Sequence, residues 1–278
     1  MAETLGAVRP VVIDAGPATR ARDLQELWAH RELLYFLAWR DLKVRYSQTV
    51  LGLAWAILQP LGTALVFTVF FGKLAGRPSD GAPYGLWSYT GVLVWTFFAA
   101  VVMSASQSLL GNAALVTKVY FPRAVIPAAA AVGGLVDFAA GFVVLVGLMA
   151  LYGVAPTAAV VLVLPVMAVA LAFTLGVGLW LSALIVLYRD LRHVVPFLLQ
   201  LWMFATPIVY PLSLVPPGWR WVAMLNPMTG VVETFRASLL GRPVPWTALA
   251  VSGVAALVVL VTAELYFGRV QRVFADVV

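Results

Sequence analysis

The feature that most constrains this chain is the spacing of its charges. No charged residue lies between Arg45 and Lys73, none between Asp80 and Lys118, and only Asp137 between Arg123 and Arg189. Two further charge-free stretches follow, from His193 to beyond Pro211 and from Arg242 to Glu264. A bilayer core about 30 Å thick is crossed by about 20 helical residues. The sequence Tyr152-Gly153-Val154-Ala155-Pro156 divides the 123–189 stretch near its middle, so the spacing predicts six spans.

Lipid is the solvent that such segments require. The chain is 63% hydrophobic and 11% charged, whereas a globular domain carries about 25% charged residues. Backbone polar groups within a bilayer must pair internally, which leaves helices or closed barrels. Barrel strands alternate apolar and polar over about ten residues; the runs here are longer and do not alternate. The expected fold is therefore all-α and membrane-integral, with six transmembrane helices.

Orientation follows from Lys and Arg, which accumulate on the cytosolic side. With the N-terminus inside, thirteen fall on inner segments and five (Lys73, Arg77, Arg220, Arg236, Arg242) on outer ones. Both termini are then expected in the cytosol. The net charge of +6 reads as this loop bias and not as nucleic-acid binding. Residues 1–27 contain no apolar core for a cleaved signal peptide, so the first span is expected to direct insertion. The absence of cysteine excludes disulfides and thiolate metal sites.

Two segments are too charged or too broken to span. Residues 28–47 read as an amphipathic interfacial helix on the inner leaflet, with Tyr35, Trp39, Leu42 and Tyr46 on one charge-free face. Residues 212–242, with Pro216-Pro217-Gly218 and Asn226-Pro227, read as an external re-entrant helical hairpin. The domain division expected is a cytosolic segment 1–48 and a six-span domain 49–278. That domain contains a cytosolic loop at 112–123 and the external segment at 212–242.

Enzyme chemistry finds little support. There is no Walker A motif, no GxGxxG, no HExxH and only two histidines, His30 and His193. No metal site is expected, and no catalytic residues. A membrane glycosyltransferase would need an acidic or metal-binding loop, which is missing. A secondary transporter would carry ionisable groups inside its spans; only Asp137, and Glu264 near an end, are candidates. Asp137 is expected to pair with hydroxyl or backbone donors at a helix contact.

The spans instead carry stripes of aromatic and uncharged polar residues. Trp55, Gln59, Thr63, Phe67 and Phe70 share one face of the first. Gln200, Phe204, Pro207 and Tyr210 follow similar spacing in the fifth, with Trp202 and Thr206 beside them. Amides and hydroxyls suit sugar hydroxyls, and aromatic faces suit the C–H faces of pyranose rings. The same residues also act as glue between helices, and pattern alone leaves both readings open. Pro60 and Pro207 sit inside spans and are expected to bend them.

On the inner side, Lys118 and Arg123 flank the aromatic pair Tyr120-Phe121, which reads as an exposed docking surface. On the outer side, Glu233 and Arg236 at i, i+3 are expected to form an ion pair. That pair is expected to hold a gate helix closed, so that reversing both charges restores what reversing Glu233 alone disrupts.

Four motifs carry a resemblance: LAWRDLKVRYSQTVLGLAWAILQP (37–60), NAALVTKVYFPRAVIP (112–127), LYRDLRH (187–193) and LNPMTGVVETFR (225–236). Over residues 30–270 the chain resembles the membrane subunit of a type-2 ABC exporter, nearest to permeases for O-antigen or teichoic-acid polysaccharides. The resemblance implies a homodimer with two separate ABC ATPase subunits, which bind the ATP and Mg; this chain would carry no cofactor. It implies a coupling helix at 112–123 with Thr117, Lys118, Tyr120, Phe121 and Arg123 against the ATPase. It implies a path between protomers lined by Trp55, Gln59, Thr63, Phe67, Gln200, Phe204 and Tyr210, and an external gate with Asn226, Pro227, Glu233 and Arg236. The expected substrate is a lipid-linked glycan moved across the inner membrane. A permease for a small hydrophobic drug or lipid is the alternative.

Overall fold

A computed structural model describes residues 30–47, 52, 54–74, 76, 81–118, 121–271 and 274. Among these residues the secondary structure is helical throughout, with no strand. In chain order the helices are α1 (Arg31–Ser47), α2 (Ala54–Phe67), α3 (Tyr84–Gly111), α4 (Ala113–Lys118) and α5 (Val125–Leu151). They continue with α6 (Val163–Leu187), α7 (Leu191–Ala205), α8 (Arg220–Leu225), α9 (Pro227–Leu240) and α10 (Trp246–Val270). A π-helical segment, Thr68–Leu74, prolongs α2, and a 3₁₀ turn, Ala158–Leu162, leads into α6.

Five of these helical stretches are long and apolar enough to cross a membrane: Ala54–Leu74, α3, α5, the stretch Ala158–Leu187 and α10. The sixth expected span is shorter. α7 has 15 residues and a length of about 22 Å at 1.5 Å per residue, less than the hydrocarbon thickness. The cause is local. Thr206 precedes Pro207, and the proline ring disfavours the helical conformation at the residue before it; Thr206 is extended, at φ −95° and ψ 139°. Pro207 thus stands just past the end of α7 and terminates it instead of bending it, and residues 206–210 continue without helix. Pro60, in contrast, lies inside α2 as expected, and Pro196 lies inside α7.

The long helices run alternately between two ends. One end carries α4 and the 187–191 turn; the other carries the 151–163 turn, α8 and α9. The centre is α3. Of its most apolar window 78% is buried within the protomer, against 17% for the first span. Packed against α3 are α5, α6 and α9, and α10 closes over α6 and α9. The Phe98 and Phe173 rings stack at 5.6 Å between α3 and α6. A Cβ on Gly230 would run into the Ala248 carbonyl oxygen, so α9 and α10 touch backbone to backbone. A second apolar cluster sits at the α4 end, where Leu37, Leu109, Val116, Phe121, Val125, Phe267 and Phe274 meet.

α1 differs from the expected surface helix. It does not only lie at an end: it runs alongside α5. Leu37 and Ala38 pack in the cluster with Val125, Ile126 and Ala129, Leu42 reaches Gly133, and Arg45 and Tyr46 reach Asp137. Both helices therefore advance in the same direction. The face buried is that of Leu37 and Ala38, with Leu34 half-buried beside them, while Tyr35, Phe36 and Trp39 are exposed.

Candidate functional site

The stripe on the first span is mostly left uncovered by its own protomer. Trp55 is 56% exposed, Gln59 is exposed and Thr63 half-buried. Thr63 returns its hydroxyl to the Gln59 carbonyl at 3.0 Å. Phe67 departs from the expected lining. It is buried in the main core, edge-on to Phe71 at 5.8 Å. Steps of four residues drift by about 40° each round a helix of 3.6 residues per turn, so by Phe67, still within α2, the stripe has turned toward the core; the backbone changes to π geometry only after it, at Thr68. Phe70, beyond the change, is exposed again.

The stripe on α7 behaves similarly. Gln200 and Phe204 are exposed, and Tyr210 is half-buried with its hydroxyl donating to the Phe204 carbonyl at 3.3 Å. The opposite side of α7 holds it to the bundle. Val195 and Leu199 are buried, and Trp202 sits edge-on to Phe98, Phe173 and Trp95 at 5.1, 5.8 and 6.4 Å. Of the seven residues expected to line a path, six thus lie on faces that the protomer does not bury, and Phe67 does not.

At the α9 end, Asn226 links three elements. Its side-chain oxygen accepts from the Met228 N–H at 3.1 Å, capping α9, and from Trp202 Nε1 at 3.0 Å; its amide donates to Thr206 Oγ1 at 2.8 Å. Pro227 stands at the first helical position, where a missing N–H costs nothing. α9 ends at Gly241 with φ +66°, the left-handed closing residue.

Glu233 and Arg236 pair at 3.0 Å, as the i, i+3 spacing predicts. The pair is not a surface one. Arg236 is fully buried. It lies over the Trp87 ring at 3.7 Å and donates to the carbonyls of Pro207 at 2.5 Å, Ile208 at 2.7 Å and Trp87 at 3.3 Å. Its Nη2 occupies the space that a Cβ on Gly91 would need, so α3 needs glycine there. The non-helical exit of α7 explains the arrangement. Its carbonyls have no helical partner, and a buried unpaired one costs about 1–3 kcal/mol. The expectation that reversing both charges restores the pair does not survive this geometry, since a carboxylate cannot donate to carbonyls. Neither can Arg236 be counted as an outer-loop charge. α9 as a whole is core, with twelve of its fourteen residues buried.

At the α4 end, Thr117 and Lys118 are exposed, but Phe121 is buried among Val116, Leu109 and Phe267. An exposed aromatic docking pair is therefore not present as expected: Phe121 fills the protomer's own core, and Tyr120 lies outside the described residues. Arg123 donates to the Gln271 carbonyl and faces the Phe274 ring at 6.0 Å. It fastens the end of α10 to this loop.

Asp137, near the midpoint of α5, accepts from Arg45 at 2.8 Å and from the Tyr46 hydroxyl. The hydroxyl partner agrees with the sequence reading; Arg45 was not foreseen. Nor were Trp87, Gly91 and Tyr84, whose partners come from distant helices. Setting aside Arg45 on Asp137 and Arg236 in the core, the thirteen inner and five outer Lys and Arg become twelve and four, and the bias keeps its sign. Among the described residues no group of acids and histidines is placed to hold a metal.

Apolar helices of membrane length around a central α3, with a broken helix capped by side chains, define a multi-pass helical membrane protein. Its sequence matches the ABC-2 type transporter family over residues 32–240, and the chain belongs to that family. It is 35% identical over 218 residues to the O-antigen export system permease protein RfbA of Myxococcus xanthus, covering 78% of this chain and 83% of that one. A protein of the same name from Klebsiella pneumoniae is 26% identical over 247 residues, 88% of this chain and 95% of its own. The polysialic acid transport protein KpsM of Escherichia coli is 23% identical over 204 residues, 72% and 78% of the two chains.

Proposed function

We propose that this chain is the membrane permease of an exporter that moves an O-antigen-type polysaccharide, carried on a lipid, across the inner membrane. Two copies form the path, and two ABC ATPase subunits, which bind the ATP and Mg, drive it. The observation that carries the reading is the pair of aromatic–amide faces, Trp55 with Gln59 and Gln200 with Phe204, that the protomer leaves uncovered. A lipid-facing surface has no use for two glutamines, because an amide in hydrocarbon lacks partners. A water-filled conduit for a hydroxyl-rich polymer supplies them, and its sugar rings lie on the aromatic faces. The names of the relatives point to the same class of substrate.

The α4 end is then cytosolic, consistent with the Lys/Arg bias. Thr117 and Lys118 are the exposed groups through which an ATPase subunit engages. The absence of a Walker A motif in the sequence fits a chain that borrows its energy source.

The test is expression of the chain with an ABC ATPase subunit from the same source in a cell lacking its own O-antigen permease. Surface glycan detected by antibody or lectin supports the reading, provided it vanishes when the ATPase carries an inactivated phosphate loop. Intracellular accumulation of glycan despite assembled transporter, together with export of a hydrophobic dye, would favour the drug or lipid alternative.

A further inference from the structure

Both path helices lose α geometry at the α9 end, and one side chain touches both losses. α2 becomes π-helical at Thr68–Leu74. A Cβ on Gly72 would meet the Tyr84 ring at 2.9 Å, so the ring rests on the π segment's backbone. The Tyr84 hydroxyl donates to the Val209 carbonyl at 2.8 Å, on the non-helical exit of α7. The ring also packs on Trp87 at 5.5 Å, and Trp87 carries Arg236 on its face. Three successive carbonyls, Pro207, Ile208 and Val209, are thus held by two side chains, Arg236 from α9 and Tyr84 from α3.

We propose that Tyr84 is a positioning residue for transport: with Arg236 it clamps the broken exit of α7 and ties it to the π-helical end of α2, setting the closed width of the outer mouth. The inference rests on the path reading above. Arg236 grips carbonyls from within the core and fixes the exit to α9. Tyr84 adds the link to the first helix, so that a shift of Gly72 moves the ring and releases Val209. A π segment suits this role, because interruptions of this kind in α-helices are frequent at functional sites. The side-chain polar atoms that are buried without a partner among the described residues point to the same place. Trp87 Nε1, Ser88 Oγ, Thr229 Oγ1, Thr234 Oγ1 and Ser252 Oγ all lie at this end.

The cysteine-free chain permits a direct test in intact cells or proteoliposomes of the full transporter. Ala205 is exposed at the last position of α7. Ala205→Cys serves as reporter for an impermeant thiol reagent added outside, without ATP. Tyr84→Phe keeps the ring and removes the hydroxyl that bonds Val209. Labelling of the reporter should then rise about fivefold, the change expected for loss of one buried hydrogen bond, at unchanged folded yield and ATPase association. Gly72→Ala displaces the ring and should raise labelling likewise, and adding Tyr84→Phe to it should change nothing further. Equal labelling with and without Tyr84→Phe, or full additivity with Gly72→Ala, overturns the clamp and leaves the path standing. No labelling of the Ala205→Cys reporter from either side in an exporting transporter overturns the path assignment and the clamp together.

Discussion

Arg45 and Asp137, 92 residues apart in sequence, meet at 2.8 Å between α1 and the midpoint of α5. A lone carboxylate within a span is costly, and here it is neutralised by the guanidinium and by the Tyr46 hydroxyl. The pair is also the far end of a seam that begins with Leu37 in the cluster around Val125. It therefore fixes how far α1 advances along α5.

The pair should respond asymmetrically to substitution. Arg45→Ala leaves Asp137 with one donor and should cost about 2 kcal/mol, below the range for a fully buried pair because the Arg45 side chain is 38% exposed. Arg45→Ala with Asp137→Leu should recover most of the loss. The measurement is the temperature at which the detergent-solubilised protein leaves its monodisperse peak. Equal shifts for the single and double variants would show that the carboxylate was never dependent on Arg45.

At the other end of the bundle, swapping Glu233 and Arg236 should not work. The double reversal should yield no more folded protein than Arg236→Glu alone, because a carboxylate at 236 would face the Pro207, Ile208 and Trp87 carbonyls. Arg236→Lys should be intermediate, keeping the charge without the planar fork that reaches two carbonyls at once. Recovery of yield in the double reversal would reduce the site to a simple ion pair.

Phe121 and Lys118, three residues apart, should fail in different ways. Phe121→Ala empties a core position and should cost about 3–5 kcal/mol, seen as reduced yield of the solubilised chain. Lys118→Glu should leave yield unchanged and weaken co-purification of the ATPase subunit, since its side chain is exposed. A stable Phe121→Ala chain that no longer binds the ATPase would return Phe121 to the docking surface.

Within the first span, the same contrast separates conduit from core. Trp55→Ala should express normally and export less glycan, whereas Phe67→Ala should lower yield by the same core mechanism as Phe121. Gln59→Cys should react with a water-soluble thiol reagent. Ala64→Cys should not, because Ala64 is only 4% exposed. If the Ala64→Cys variant reacts as fast as Gln59→Cys, this face of α2 does not separate water from core.

Much of this architecture is written in local patterns. Charge-free intervals located every long helix. The Asn226-Pro227 pair announced the start of α9, and the i, i+3 spacing announced its ion pair. Trp55, Gln59, Gln200 and Phe204 lie on uncovered faces, where helical periodicity had aligned them. Phe67 falls off its stripe because steps of four residues drift round a helix of 3.6 residues per turn; the π segment follows it, and no residue in Thr68–Leu74 signals a π-helix by itself. α7 is shorter than its apolar run because hydropathy does not register the effect of Pro207 on Thr206.

What the sequence determined by itself is the class of protein and the position of its membrane segments. Burial in lipid and pairing of the backbone within one helix are properties of consecutive residues, so they can be read along the chain. Only the tertiary structure decided the fate of individual polar and aromatic groups. Arg236 is a core residue because Pro207, Ile208 and Trp87, 29, 28 and 149 residues away, present carbonyls to it. Phe121 is buried because Phe267, on α10, returns to the cluster that covers it. Each outcome depends on which surface another helix brings, and helix packing depends on shape at separations that a linear pattern does not encode.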